Sequence, residues 1–424
     1  MPAAEVNRAV EAVWRIEAPR IIAGLTRMVH DVGLAEELAQ DSLVAALQQW
    51  PDSGIPPNPG GWLTSTAKHR AVDLIRRRAT YERKLREIGR DLSEADEPDL
   101  AAALDDHVGD DLLRLIFITC HPVLPAEGRT ALTLRLLGGL SNGEVARAFL
   151  VPEPTVAQRI SRAKRTLASH RIPFELPPAA ELPARLPVVL DVIYLIFNEG
   201  YSAASGHDWT RPDLCHEALR LGRVLAGLMP AEPEVHGLVA LMELQASRLA
   251  ARGGPAGEAV LLADQDRRRW DRLLIRRGLA ALERADAAGG RFGRYALQAA
   301  IAACHARAAA PGDTDWERIA ALYTVLGHVA PSPVVELNRA VAVGMASGPG
   351  EGLVIVDELA TSGRLAGYPY LPAVRGDLLA RLGRDSEARR EFERAAALTR
   401  NEAERALFER RAGQGQIARS RPAQ

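Results

Sequence analysis

Thr155, Gln158, Arg159, Arg162 and Lys164 lie close together in "VPEPTVAQRISRAKRTL". Arg pairs bidentately with guanine edges and Gln with adenine edges, while Lys and Thr suit phosphate oxygens. Such contacts work only if the five side chains project together from one rigid element. Val156, Ile160, Ala163 and Leu167 meet that need, because their i, i+3/i+4 spacing marks the buried stripe of a helix and leaves the five polar residues outside it. Upstream, Ser141 and Glu144 form a capping box for a short helix whose inward residues are Val145, Ala146 and Phe149. "LVPEP" interrupts it, and Pro154 suits the first turn of the next helix, where its missing N–H costs nothing. A short helix, a tight turn and a second helix with an exposed, hydrogen-bonding start is the pattern of a helix-turn-helix. From Glu153 to Arg171, five basic residues accompany one acid. On pattern alone, an ordinary helical hairpin fits these residues too.

A second basic group, Lys68, Arg70, Arg76 and Arg77, lies in "WLTSTAKHRAVDLIRRRATYERKLREI". Leu63, Ala67, Ala71, Leu74 and Ile75 have helical spacing there, which leaves the cations on other faces. Between Lys68 and Arg90 nine Lys and Arg face three acids; from Asp91 to Asp111 there are nine acids and no Lys or Arg. The overall charge of -1 therefore conceals segregation along the chain. A basic stripe followed by an acidic stretch suits a helix that contacts DNA and leads into a linker; a solvated helix face and a plain loop would share the pattern. The preceding helix, "AEELAQDSLVAALQQW", puts Leu38, Leu43, Ala46 and Leu47 on one stripe and Glu36, Glu37, Gln40 and Asp41 elsewhere. "PDSGIPPNPGG" separates the two helices and cannot continue either. Trp62, at the start of the second, reads as a core anchor or as a stacking platform.

The elements that position these groups come from a chain of 424 residues, 47% hydrophobic, 25% charged and only 5% aromatic. That length implies two or three domains. Abundant Ala, Leu and Arg with little β-branched alternation implies an almost all-α protein. No apolar run reaches the roughly 18 residues of a membrane span, and "MPAAEVNRAVEAVW" is no secretory signal. A cytoplasmic chain is expected. Its three cysteines are too few for a disulfide framework. Each precedes a histidine (Cys120-His121, Cys215-His216, Cys304-His305), but neighbours on a helix point about 100° apart and no zinc-finger spacing recurs. No metal or cofactor is expected.

Two boundaries are legible. The acidic segment 91–111 is one; "IPFELPPAAELPARLP", with five prolines between Pro173 and Pro187, is a stiff spacer and the other. The resulting blocks are 1–90, 112–172 and, beyond the spacer 173–187, a helical region 188–424. Near its end Gly376, Gly383, Ala388, Phe392 and Ala395 match the small and aromatic positions of one tetratricopeptide repeat (TPR). The region is TPR-like on that match, and a plain helical bundle fits equally. His207, Asp208, His216 and Glu217 come nearest to a reactive cluster, but there is no phosphate loop, nucleophile elbow or HExxH motif.

Taken together, the first 170 residues resemble a sigma factor of the sigma-70 family, extracytoplasmic-function (ECF) subgroup. "AEELAQDSLVAALQQWP" resembles the region-2 helix that docks on the core polymerase. "NPGGWLTSTAKHRAVDLIRRR" resembles the loop and helix that read and melt the minus-ten element. "LTLRLLGGLSNGEVARAFLVPEPTVAQRISRAKRTL" is similar to region 4, which reads the minus-thirty-five element. The resemblance implies an all-α, non-enzymatic protein whose partners are core RNA polymerase and promoter DNA, both double-stranded and melted, with no membrane. It assigns Glu37, Gln40 and Asp41 to polymerase docking. Asn58, Trp62, Lys68, Arg70, Arg76 and Arg77 go to the minus-ten element, with the Asn58–Pro59–Gly60 loop as a base pocket. Thr155, Gln158, Arg159, Arg162 and Lys164 go to the minus-thirty-five element. "LIFNEGYSAASG" and "YALQAAIAACHA" resemble signatures of members with a long C-terminal extension. There the implied role is control through a regulatory partner protein, in place of a separate anti-sigma protein. A stand-alone helix-turn-helix regulator, or a DNA-binding head on a helical enzyme, are the competing readings.

Overall fold

The computed structural model describes residues 3–88, 108–149, 151–202, 205–206, 210–254 and 258–417. Most of the acidic segment, and His207 and Asp208, lie outside them. The chain forms two compact units, Met1–Val192 and Ile193–Gln424. The regular structure of the described residues is α-helix, with short 3-10 turns, one two-residue parallel pairing, Ser205–Gly206 with Arg400–Asn401, and an isolated bridge between Gly253 and Ala259.

In the first unit α1 (Ala3–Val29), α2 (Val32–Ser53) and α3 (Pro59–Ile88) pack on one another. Ile22, Leu25, Trp50, Leu63, Ala67 and Ala71 are buried between them. α2 runs through Pro51 and stops at Gly54, whose φ of 82° takes the chain out of helical geometry. It is therefore longer than the "PDSG" punctuation implies. Its buried stripe also differs from the expected one: Ala35, Leu38, Ala39, Ser42, Ala45, Ala46 and Trp50 face inward, whereas Leu47 is exposed. α4 (Val108–Thr119) packs on α1, and Asp111, deep in that contact, pairs with Arg27 at 2.9 Å and Arg114 at 2.6 Å. The end of the acidic segment is thus a buried anchor. α5 (Ala126–Leu136), α6 (Asn142–Phe149) and α7 (Glu153–Ser169) complete the unit's described helical core.

α8 (Leu182–Tyr201) begins inside the segment read as a spacer, with Pro183 in its first turn, where no N–H is needed. The boundary between the units falls inside α8, after Val192, and the second unit goes on through α9 (Pro212–Leu228), α10 (Pro233–Ala246), α11 (Leu249–Arg252), α12 (Arg272–Ala287) and α13 (Arg294–Arg307). α10 is buried on nearly every side and packs on α9, α12 and α13. Then α14 (Trp316–Val329), α15 (Pro333–Ala346), α16 (Pro349–Thr361), α17 (Tyr370–Arg381), α18 (Asp385–Leu398) and α19 (Glu402–Ile417) follow, each packed on the next. Gly376 lets α17 and α18 approach: a Cβ there would sit 3.0 Å from the Phe392 ring and 3.2 Å from the Ala388 carbonyl oxygen. Phe392 is buried in that seam.

Candidate nucleic-acid interface

The helix-turn-helix forms as its local chemistry dictates. Ser141 Oγ accepts from the Glu144 backbone N–H at 3.2 Å, and Glu144 Oε2 accepts from Ser141 N–H at 2.7 Å. Both legs of the capping box are made, which fixes the start of α6. α7 starts at Glu153 with Pro154 in its first turn. Val156, Ile160, Ala163 and Leu167 are its buried residues, and they seat it on α5 and α6. Gln158 and Arg162 are exposed; Thr155 and Arg159 are half-buried. Among the described residues neither Arg159 nor Arg162 makes an ion pair, so both guanidinium forks are available to a ligand.

Lys164 is placed differently from the expected reading. Its ammonium pairs with Glu36 of α2, a carboxylate only 4% exposed that also accepts from Arg135 Nε at 2.6 Å. Gln40 donates to the same carboxylate at 2.5 Å. Glu36, read as part of a polar helix face, is thus the hub of a contact between α2, α5 and α7. Lys164 cannot hold a DNA phosphate while it is engaged there. The partner that buries Glu36 lies 99 residues away, at Arg135, so helical periodicity carried no sign of it.

On α3, Arg76 and Arg77 are exposed and make no ion pair among the described residues. Arg70 is held by Asp41 of α2 at 3.2 Å, an exposed pair of small energetic value. Asn58 is the N-cap of α3, its Oδ1 accepting from Gly61 N–H at 2.9 Å. A Cβ at Gly61 would lie 2.6 Å from the Asn58 amide, so this turn has room for glycine alone without a shift. Asn58, Gly60, Gly61, Thr64 and Lys68 line one side of a cleft of about 320 Å³, with Glu17 and Arg20 of α1 opposite. Trp62 is half-buried and meets the buried Trp50 edge-on, ring centroids 5.4 Å apart, which is the position of a core anchor. Glu37 and Asp41 are exposed on α2. Beside them stand Val44 and Leu47, 49% and 38% exposed, two apolar residues that pattern reading did not single out as surface groups.

The three cysteines are buried and unbridged. Burial pushes all three thiols up, Cys215 to about 12. Among the described residues no group of three or more His, Cys, Asp or Glu is arranged to hold a metal. Glu217 is committed to Arg220 at 2.7 Å. No helix among them is long and apolar enough to cross a membrane.

Comparison with known proteins agrees with this architecture. Residues 14–81 match the family model for sigma-70 region 2, and residues 114–167 that for sigma-70 region 4. Residues 185–286 match a family of unknown function, DUF6596. The chain is 47% identical over 393 residues to the uncharacterized protein R00370 of Rhizobium meliloti, covering 92% of both chains. It is 27% identical over 176 residues to a probable ECF RNA polymerase sigma factor, SigI, of Mycobacterium tuberculosis, covering 40% of this chain and 58% of that relative. No solved structure matches. The chain belongs to one full-length family with the Rhizobium meliloti protein, and its first unit carries regions 2 and 4 of a sigma-70 family factor.

Proposed function

We propose that this chain is a sigma factor of the extracytoplasmic-function type, which binds core RNA polymerase and directs promoter-specific initiation without catalysing a reaction itself. The observation that carries the reading is the pair of matched regions in family order, each with unengaged arginines: Arg76 and Arg77 on α3, Arg159 and Arg162 on α7. In this reading Arg159 and Arg162, with Thr155 and Gln158, meet base edges and phosphates of the minus-thirty-five element in the major groove. Arg76, Arg77 and Lys68 follow the backbone of the minus-ten element, and the cleft at Asn58 holds an unstacked base. Val44 and Leu47, flanked by Glu37 and Asp41, make the face on which a basic polymerase helix docks.

The Glu36 contact sets a condition on this mechanism. Elements named for positions ten and thirty-five are about 25 base pairs apart, roughly 85 Å of B-form DNA at 3.4 Å per pair. α2 and α7, joined through Glu36, Arg135 and Lys164, cannot span that distance. The contact must open when both elements are engaged, and opening frees Lys164 for phosphate. The C-terminal unit is proposed to be a TPR-like regulatory domain with a protein partner. The reading is supported by the Gly376–Phe392 seam and the sequential packing of α14 to α19.

The test is reconstitution. Core polymerase and the full chain should yield transcripts from defined start sites on fragments of the native genome, and a chain ending at residue 181 should change their yield. Absence of any specific transcript from either chain would sink the proposal.

A further inference from the structure

α12 carries its positive charge on one side. Ile275, Gly278, Ala281 and Ala285 are its buried residues. Gly278 brings it close to α10: a Cβ there would lie 2.7 Å from the Leu244 side chain and 3.2 Å from the Ala240 carbonyl oxygen. That seam fixes which side of the helix looks outward. At about 100° per residue, Arg272, Arg276, Arg277 and Arg284 fall within an arc of about 140° opposite the seam. All four are exposed. Leu273 and Ala280 fill the rest of the arc, and Glu283 is the one acid in it.

The outer face of α18 shows the ordinary arrangement, with Arg384, Arg389 and Arg394 paired to Glu387, Glu393 and Glu391. At the two ends of α12, Arg268 pairs with Asp266 at 3.0 Å and Arg291 with Asp286 at 2.9 Å. The four arginines of the arc make no ion pair among the described residues, and Arg272 reaches only the Arg267 carbonyl, at 3.5 Å. Asp271, at the helix start, accepts from the backbone N–H groups of Leu273 and Leu274. Arg272 and Arg276 are like charges one turn apart near the helix N-terminus, where the macrodipole already disfavours cations. Such an arrangement costs stability by itself, and a bound anion relieves it.

We propose that this face of α12, inside the matched region of unknown function, holds the phosphate backbone of duplex DNA without reading its sequence. The helix rises about 18 Å between Arg272 and Arg284, at about 1.5 Å per residue. Each strand of duplex DNA carries one phosphate per roughly 3.4 Å of axis, so about five phosphates of one strand lie along that length. A rigid row of guanidinium forks suits a polyanion that is charged at every unit. The choice of DNA among polyanions rests on the sigma-factor reading. The face adds a sequence-independent contact outside both matched sigma regions.

The test is fluorescence anisotropy of a labelled random-sequence duplex, about 30 base pairs long, titrated with the full chain from about 50 to about 200 mM salt. The wild-type chain should bind with a steep salt dependence. Arg276→Gln/Arg277→Gln should bind about tenfold more weakly at the lowest salt and lose about 1.8 from the salt slope, about 0.9 per phosphate contact. It should melt no lower than the wild type, and Arg272→Gln/Arg284→Gln, on the same face, should repeat both losses. Arg76→Gln/Arg77→Gln, in the first unit, should weaken binding independently, so that the losses multiply. Unchanged affinity and slope in both α12 variants, with losses in the α3 variant, overturn this proposal and leave the sigma-factor reading standing. Absence of duplex binding by the wild type overturns it too. So does tighter binding of poly-glutamate than of the duplex at equal charge concentration, lost in the α12 variants, which would identify an acidic protein as the partner. Failure of the sigma-factor reading is a different result: no specific transcript on reconstitution.

Discussion

Arg159 and Lys68 are both cations on helices, yet they should fail in different ways. Arg159 is half-buried at the exposed start of α7 and free to make a directional contact. Arg159→Ala should weaken promoter binding by about 1–3 kcal/mol and relax discrimination at one base pair of the upstream element. Lys68→Ala should weaken binding on every sequence alike and reduce the salt slope by about one. Competition binding of the polymerase complex across salt concentrations separates the two; an Arg159→Ala loss that is uniform over all sequences contradicts the assignment. His305 supports a prediction of another kind. Burial first, and then Arg248 and Arg267, push its pKa down to about 3, against an ordinary 6.5. The unfolded chain therefore takes up a proton that the folded chain refuses as pH falls below 6.5. The stability tied to the neutral imidazole is fully present above pH 6.5 and is lost towards pH 3, by about 1.4 kcal/mol per unit. Melting curves at pH 7.5, 6 and 5 should show that slope, and His305→Gln should flatten it; an unchanged slope in the variant refutes the linkage.

At the scale of elements, the capping box, the proline start and the inward stripe of α7 were all legible, because each arises within a few residues. Ser141 meets Glu144 three positions away, and Val156, Ile160, Ala163 and Leu167 lie on one face of a single helix. What α2 does was less legible. Its small residues Ala35, Ala39, Ser42, Ala45 and Ala46 are buried, and the larger Val44 and Leu47 are left outside, against the usual rank of hydrophobic size. A helix that packs closely on two others favours small side chains at the contact, and hydropathy alone does not report closeness. The burial of Glu36 and its pairing with Lys164 were not legible for a related reason: their environment is set by partners distant in sequence. Glu36→Gln should loosen the α2–α7 contact. The expected destabilisation is about 1–3 kcal/mol, less than for a fully buried pair because Arg135 and Lys164 are each 22% exposed. Fluorescence transfer between labels at the exposed Gln48 and Ser161 should report a longer mean distance in the variant, and an unchanged distance would show that the carboxylate does not hold the contact.

For the whole molecule, two reading elements in one unit are useful only when something holds them in register on DNA. In the proposed reading these elements are α3 and α7, α7 is held to α2 and α5 through Glu36, and the agent that releases it is core polymerase. The central claim is that neither element suffices alone. It is tested most directly by footprinting one native promoter with the chain alone and with the chain bound to core polymerase. The chain alone should give no specific protection at physiological salt, and the complex should protect both elements. Specific protection of the upstream element by the chain alone, unchanged when polymerase is added, would contradict it and identify a stand-alone helix-turn-helix regulator.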